Sequence, residues 1–151
     1  MNIPLSYEKR LLQLVLLVVS LIPLSAGFMG VWKGPAFFDI AGAPTSADSH
    51  MRYLSGLLLG IGLLVWWIVP RVEQRNGVFA TITAIVFVGG LSRLWSGIEV
   101  GRPDATMSAA LFIELALTPA LYFWHVRIAR KAARSKSPLS SARPQPDLER
   151  P

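Results

Sequence analysis

The stretch LLQLVLLVVSLIPLSAGFMGV, residues 11–31, is 21 residues long and holds no ionisable side chain. At about 1.5 Å of rise per residue, a helix of that length crosses the roughly 30 Å hydrocarbon core of a bilayer. Three more apolar runs follow. One extends from Tyr53 to Val69 and is closed by Pro70, one from Gly77 to Ile98, and one from Met107 to Val126. All four are 17–22 residues long. Buried helices of soluble proteins are rarely so long and apolar on every face. No strand-like alternation competes, and no repeat of 20–50 residues is present. The expected fold is an all-α, polytopic membrane protein. Four transmembrane helices, at about 11–31, 53–69, 77–98 and 107–126, make up one domain over residues 1–128.

Composition supports this reading. Charged residues are 16% of the 151 and hydrophobic types 52%, with mean hydropathy +0.46. Soluble domains average about 25% charged, and disorder needs still more charge and less hydrophobicity. The chain has no cysteine, which excludes disulfides, thiolate metal sites and cysteine nucleophiles. Its two histidines, His50 and His125, are expected at opposite ends of the bundle and so cannot share a metal. No GxSxG, HExxH or phosphate-loop motif is present. These absences predict no metal, no cofactor and no catalytic residue, and a non-enzymatic role ahead of an enzymatic one.

The net charge of +6 is unevenly placed. Residues 127–151 contain seven basic side chains and two acidic ones. A basic flank after an apolar segment marks the cytoplasmic side of a membrane helix. The segment 131–151 has no aromatic residue to stack on bases, so nucleic acid is not an expected partner. Residues 129–151 read as a disordered, Pro/Ser-rich cytoplasmic tail. With the N-terminus inside, eleven Lys and Arg fall on the cytoplasmic side and four on the other. Both termini are therefore expected in the cytoplasm. Trp32 and Trp95 then fall at outer helix ends, and Trp66, Trp67 and Trp124 at inner ends, as interfacial belts require. The first segment also has signal-peptide features in its basic flank and its small residues at 25–27. Its length favours a retained helix. The connection from Trp32 to Met51 reads as a covering loop or a short interfacial helix. Thr45, Ser46 and Asp48 offer N-caps that would start the second helix before Tyr53.

Charges inside spanning helices are costly and usually face the protein interior. Arg93 lies about five residues before the end of helix three, and Glu114 about seven into helix four. Both then sit roughly 8–11 Å below the outer surface on neighbouring helices, which predicts a direct pair. Arg52 enters at a similar level, with Asp48, His50, Glu99, Arg102 and Asp104 on the rim. Helical spacing groups Arg52 with Gly56 and Gly60, Arg93 with Gly89, Gly90 and Gly97, and Glu114 with Ala110 and Thr118. Small residues mark close helix contacts in membranes. The expected arrangement is one polar cluster in the outer half over an apolar inner half, packed through Gly56, Gly60, Gly89 and Gly90. Two readings stand side by side. Arg93 and Glu114 form a structural pair locking two helices. Alternatively Arg52, Arg93, Glu114, Asp48 and His50 line a ligand site for a lipid head group, a quinone or a small anion. His125 is expected at the inner interface beside Trp124 and Arg127.

The segments Asp48-Ser-His-Met-Arg52-Tyr-Leu-Ser-Gly56-Leu-Leu-Leu-Gly60-Ile-Gly62 and Val88-Gly-Gly-Leu-Ser-Arg93-Leu-Trp-Ser96, with Gly101-Arg-Pro103 and Glu114-Leu, carry a resemblance. They resemble the small bacterial membrane proteins grouped as domain of unknown function 4345, over roughly residues 10–128. In that family an Arg-Tyr step opens a glycine-rich second helix, a Gly-Gly-x-x-Arg segment ends the third, and a Glu sits in the fourth. The resemblance implies a four-helix, multi-pass protein of the bacterial inner membrane and no known activity. A non-catalytic ligand-binding or accessory bundle is the first expectation. The alternatives are a small proton-coupled transporter using Glu114, or a subunit of a membrane redox complex. Besides the bilayer, the expected partners are a membrane protein or further copies of the chain.

Overall fold

The computed structural model describes residues 4–136. The chain forms α1 (Leu5–Lys33), a 3-10 turn (Gly34–Phe38), α2 (Thr45–Ile68), a second 3-10 turn (Val69–Gln74) and α3 (Asn76–Glu99). It then forms α4 (Ala105–Phe112), a π turn (Ile113–Leu117) and α5 (Thr118–Lys136), which follow one another without a break. Four helices are thus long and apolar enough to cross a membrane, and there is no strand among the described residues.

Each helix outruns its apolar stretch. α1 begins six residues before Leu11, and α2 begins at Thr45 with Pro44 in the capping position. The expected side-chain caps at Thr45 and Ser46 do not form; Asp48 is engaged by Arg52 instead. The long loop contains the Gly34–Phe38 turn, with Gly34 and Pro35 buried. The assignment of residues 129–151 to a disordered tail is corrected in part: 129–136 continue α5. Ala129, Ala132, Ala133 and their Lys and Arg neighbours are strong helix formers, so nothing local stops the helix at residue 128. The remainder of that tail lies outside the described residues.

The helices run up and down. Lys9 reaches Glu73 and Glu8 reaches Lys131, so the start of α1, the α2–α3 turn and α5 meet at one end, the terminal end. The 34–44 and 100–104 connections lie at the other, the loop end. α1 and α2 form the most extensive pair, and α3 packs on the π turn and α5. The core is confined to the terminal half. Leu12, Leu16, Val65, Ile68, Val69, Val72, Phe79, Ile82, Leu121 and Ile128 make it up. Elsewhere the surface is Leu, Ile, Val and Phe, and no more than 28% of any span's most apolar stretch is buried. Monomers in water rarely expose a contiguous apolar surface of that extent.

The α1–α2 seam is built on small residues, but not those that spacing selects. A Cβ on Gly27 would lie 2.5 Å from the Leu59 backbone nitrogen, and one on Gly62 would lie 2.7 Å from Leu24 Cγ. Gly30 sits against Ser55, and Trp66 Nε1 donates across the seam to Ser20 Oγ at 2.8 Å. A Cβ on Gly60 would meet nothing within 4 Å, nor would one on Gly89, and Gly56 makes only a loose contact with Val31. The expected packing role is therefore corrected for Gly56, Gly60 and Gly89, and only Gly90 of the four is tightly packed. The reason is rotational. Ser55 and Gly62 share the face of α2 that meets α1, and Gly56 and Gly60 are turned off it by one or two residues at 100° each.

Gly27→Ala should destabilise the protein by about 1–3 kcal/mol, because the new methyl meets backbone that cannot yield. Gly60→Ala should be neutral or gain up to about 1 kcal/mol of helix propensity. Unfolding of both variants in mixed micelles, followed by circular dichroism, reads the difference.

Candidate functional site

The site begins with a proline. Pro119 has no N–H to offer the Leu115 carbonyl, so the regular ladder fails one turn before it. The chain responds with the π turn: the Thr118 N–H bonds to Ile113 O, and Thr118 Oγ1 donates to the same carbonyl at 2.8 Å. A π turn adds one residue per turn and rotates the side chains within it; such turns occur often at functional sites. Glu114 lies in this turn. The turn rests on Gly90 of α3, where a Cβ would lie 2.7 Å from Leu115 Cδ2 and 2.9 Å from Glu114 Cβ. Only a residue without a side chain lets the widened turn approach so closely.

One turn further along α3, Arg93 meets Glu114 in a two-pronged pair. Nε donates to Oε2 at 3.0 Å and Nη2 to Oε1 at 3.1 Å. The third nitrogen, Nη1, points to Met107 Sδ at 2.8 Å. Met107 is held by Asp104, whose Oδ1 accepts its backbone N–H at 2.7 Å and so caps α4. Planar two-point pairing fixes geometry as well as charge. The guanidinium and carboxylate are one-third and one-fifth exposed, in a part of α3 and α4 surrounded by apolar surface. Beside them lies an open cleft of about 470 Å³, lined by Arg93, Ser96, Gly97, Arg102, Pro103 and Met107 among others. Arg102 is exposed and makes no hydrogen bond or ion pair.

Arg52 does not join this cluster, which corrects the expectation of a single outer pocket. It pairs with Asp48 through Nε and Nη2 at 2.9 and 3.2 Å. Its Nη1 donates to Val31 O at 2.6 Å and Trp32 O at 3.1 Å. These are last-turn carbonyls of α1, which have no intrahelical donor, and a cation there also meets the negative end of the helix dipole. Gly34 makes room for the arrangement. Its φ of +59° suits glycine, and a Cβ there would lie 2.7 Å from both Arg52 Nη2 and Asp48 Oδ1. His50 is exposed and bonds to neither arginine's partners. Asp48 and His50 are thus separated from Arg93 and Glu114, and the loop end holds two independent ion pairs.

The terminal end carries charge where an apolar half was expected, a second correction. Glu8 is only 4% exposed. Its carboxylate accepts from Arg127 Nη2 at 3.0 Å and from Lys131 Nζ at 2.8 and 3.0 Å. Lys9 Nζ donates to Glu73 at 2.7 Å, and Gln13 Nε2 to Val69 O at 2.8 Å. His125, expected at the interface, is fully buried against Phe79, with ring centroids 4.6 Å apart. Its Nε2 donates to Val72 O at 2.8 Å, and its Nδ1 has no partner. Sequence reading missed Glu8 because the first helix was started at Leu11. The available signal was spacing: Glu8, Leu12 and Leu16 fall four apart and share a buried face. The π turn had its own signal in Leu117-Thr-Pro119, a helix-incompatible proline inside an otherwise helical run.

Residues 11–125 match the family described as Domain of unknown function (DUF4345). The match spans more than half of the chain, and the chain belongs to that family. No curated protein and no solved structure matches the chain.

A double-mutant cycle on Arg93→Gln and Glu114→Gln should give a coupling of about 0.6–1.7 kcal/mol, the span such cycles find for polar contacts between membrane helices. Unfolding in mixed micelles measures it. A coupling near zero would mean that the pair does not hold α3 to the π turn.

Proposed function

We propose that the chain is a non-catalytic, multi-pass inner-membrane protein whose loop-end cleft binds a small anionic or carbonyl-bearing ligand. One observation carries this reading: Arg93, held by Glu114 of the π turn within an apolar span, forms a wall of a cleft whose rim holds the unpaired Arg102. Ionisable side chains inside spanning helices are a functional hypothesis by default. The carboxylate neutralises Arg93, so the positive charge offered to a ligand comes from Arg102. Ser96 and the backbone at Gly97 supply neutral hydrogen-bonding groups. A lipid head group, a quinone carbonyl or a small acid fits that set.

Transport of protons by Glu114 is supported less well. Between Glu114 and the Tyr122–His125 cluster the interior is a layer of apolar side chains, including Leu16, Ile82, Leu117 and Leu121. No titratable group of the described residues bridges it.

The orientation follows from charge. Lys9, Arg10, Arg71, Arg75, Arg127, Arg130, Lys131 and Arg134 crowd the terminal end, which this reading places in the cytoplasm. Because the chain has no cysteine, single introduced thiols report position directly. In intact cells, Gly42→Cys should react with an impermeant maleimide and Gln74→Cys only after lysis; the reverse pattern would invert the orientation.

Protein purified in mild detergent should retain a specific small molecule, identified by mass spectrometry. Arg102→Ala should lose it while keeping the fold by circular dichroism. An empty wild type, or a ligand retained equally by Arg102→Ala, would remove the cleft from consideration.

A further inference from the structure

A second groove lies at the terminal end, on the outward side of α1 and α5. It is lined by Tyr7, Glu8, Leu11, Phe123, Trp124 and Arg127, with a volume of about 490 Å³. Its walls divide by chemistry. Leu11 and Phe123 are apolar and lie toward the middle of the helices. Tyr7, Glu8 and Arg127 lie about one turn nearer the ends, with Trp124 beside them, where α5 leaves its apolar stretch. Such a groove accepts a hydrocarbon chain along one part and a head group at the other.

Charge decides which head group. Glu8 is the acidic residue of the groove, and it is consumed within the chain by Arg127 and Lys131. Arg127 spends one nitrogen, Nη2, on that bond. Its Nη1 and Nε make none, and its side chain is 59% exposed. Arg130 and Arg134 follow on α5 at the next turns, both exposed and without an ion pair. Arg127 in the groove and Arg130, Lys131 and Arg134 beyond it on α5 thus set four cations against the one carboxylate of Glu8. A zwitterionic head group would leave that excess uncompensated, and an anionic phosphodiester would not. Aromatic side chains at the head-group level, here Tyr7 and Trp124, anchor such an interface. Basic pockets between membrane helices bind anionic head groups on this physical basis.

We infer that the α1–α5 groove is a binding site for one anionic phospholipid, its acyl chain against Leu11 and Phe123 and its phosphate on the free nitrogens of Arg127. The Glu8 contact holds the Arg127 guanidinium at the head-group level and leaves its other two nitrogens turned outward. This site is independent of the loop-end cleft and stands or falls separately from it.

Native mass spectrometry of the delipidated full chain tests the site, with dioleoyl phosphatidylglycerol and dioleoyl phosphatidylcholine as probes. The wild type should hold one phosphatidylglycerol in clear preference to phosphatidylcholine. Arg127→Gln should weaken that adduct about fivefold, the effect of losing one basic residue near a membrane surface. Leu11→Trp keeps every charge and fills the groove; it should lose the adduct too, so the inference stays testable where Arg127→Gln fails to fold. Arg10→Gln removes a charge at the same end but outside the groove and should leave the adduct unchanged. Equal binding of the two lipids overturns the site. Equal loss in Arg10→Gln and Arg127→Gln overturns it as well, in favour of a diffuse basic surface. Displacement of phosphatidylglycerol by millimolar inorganic phosphate, with Leu11→Trp still binding, overturns the lipid in favour of a free anion.

Discussion

The bundle is closed by one carboxylate. Glu8, near the start of α1, is buried and takes its hydrogen bonds from Arg127 and Lys131 near the end of α5, more than a hundred residues later. A buried charge without partners costs several kcal/mol, so α5 cannot leave α1 without exposing or abandoning that carboxylate. The core depends on the same closure. Leu12 and Leu16 follow Glu8 on one face of α1, and Leu121 and Ile128 bracket the approach from α5. His125 sits between them, fixed by its bond to Val72 in the α2–α3 turn. Three segments distant in sequence therefore converge at one end, and most large buried side chains lie within two or three turns of the Glu8 contact.

The remaining polar groups obey one constraint. Where a bilayer replaces water, backbone and side-chain polar atoms must be satisfied inside the chain. The ends of the helices show it. Arg52 supplies donors to the last carbonyls of α1, and Gln13 supplies them to Val69 and Pro70 at the end of α2. Several serines and threonines within the spans turn their hydroxyls back to carbonyls three to five residues earlier, as Ser20, Thr81, Thr83, Ser92 and Thr118 do. Trp66 spends its indole N–H on Ser20. Helices with so apolar a surface leave few of these donors unspent.

Hydropathy and charge made part of this legible. Four apolar runs with polar punctuation point to four helices of spanning length, and matched depth on adjacent helices places Arg93 beside Glu114. Three things were hidden, each for a physical reason. Hydropathy sets helix limits at the apolar runs and cannot see that Leu5–Arg10 and 129–136 stay helical on their own propensity, with Glu8, Lys9 and Lys131 paired; Glu8 falls outside the span for that reason. Glycine spacing names a face but not its partner, and the seam of α1 and α2 turned out to run through Gly27, Gly30, Ser55 and Gly62. Arg52 shares depth with Arg93 but not an adjacent helix contact, and depth alone says nothing about position around the bundle.

The position of each arginine around the bundle gives the loop end two pairs instead of one network. The core joins the α1–α2 hairpin to the α3–α5 hairpin only in the terminal half. Toward the loop end each hairpin is braced within itself, by Arg52 on Asp48 and the α1 carbonyls in one, and by Arg93 on Glu114 in the other. A charge shared between hairpins there would rest on an interface with little packing to hold it. Any opening would then strand an arginine in an apolar environment. Pairing each arginine with a carboxylate of its own hairpin keeps both neutral whatever the distance between them. The π turn and Gly90 serve this local closure on one side, Gly34 on the other. The loop end is thereby left without a shared core, and the cleft beside Arg93 is lined by α3, α4 and the connection between them.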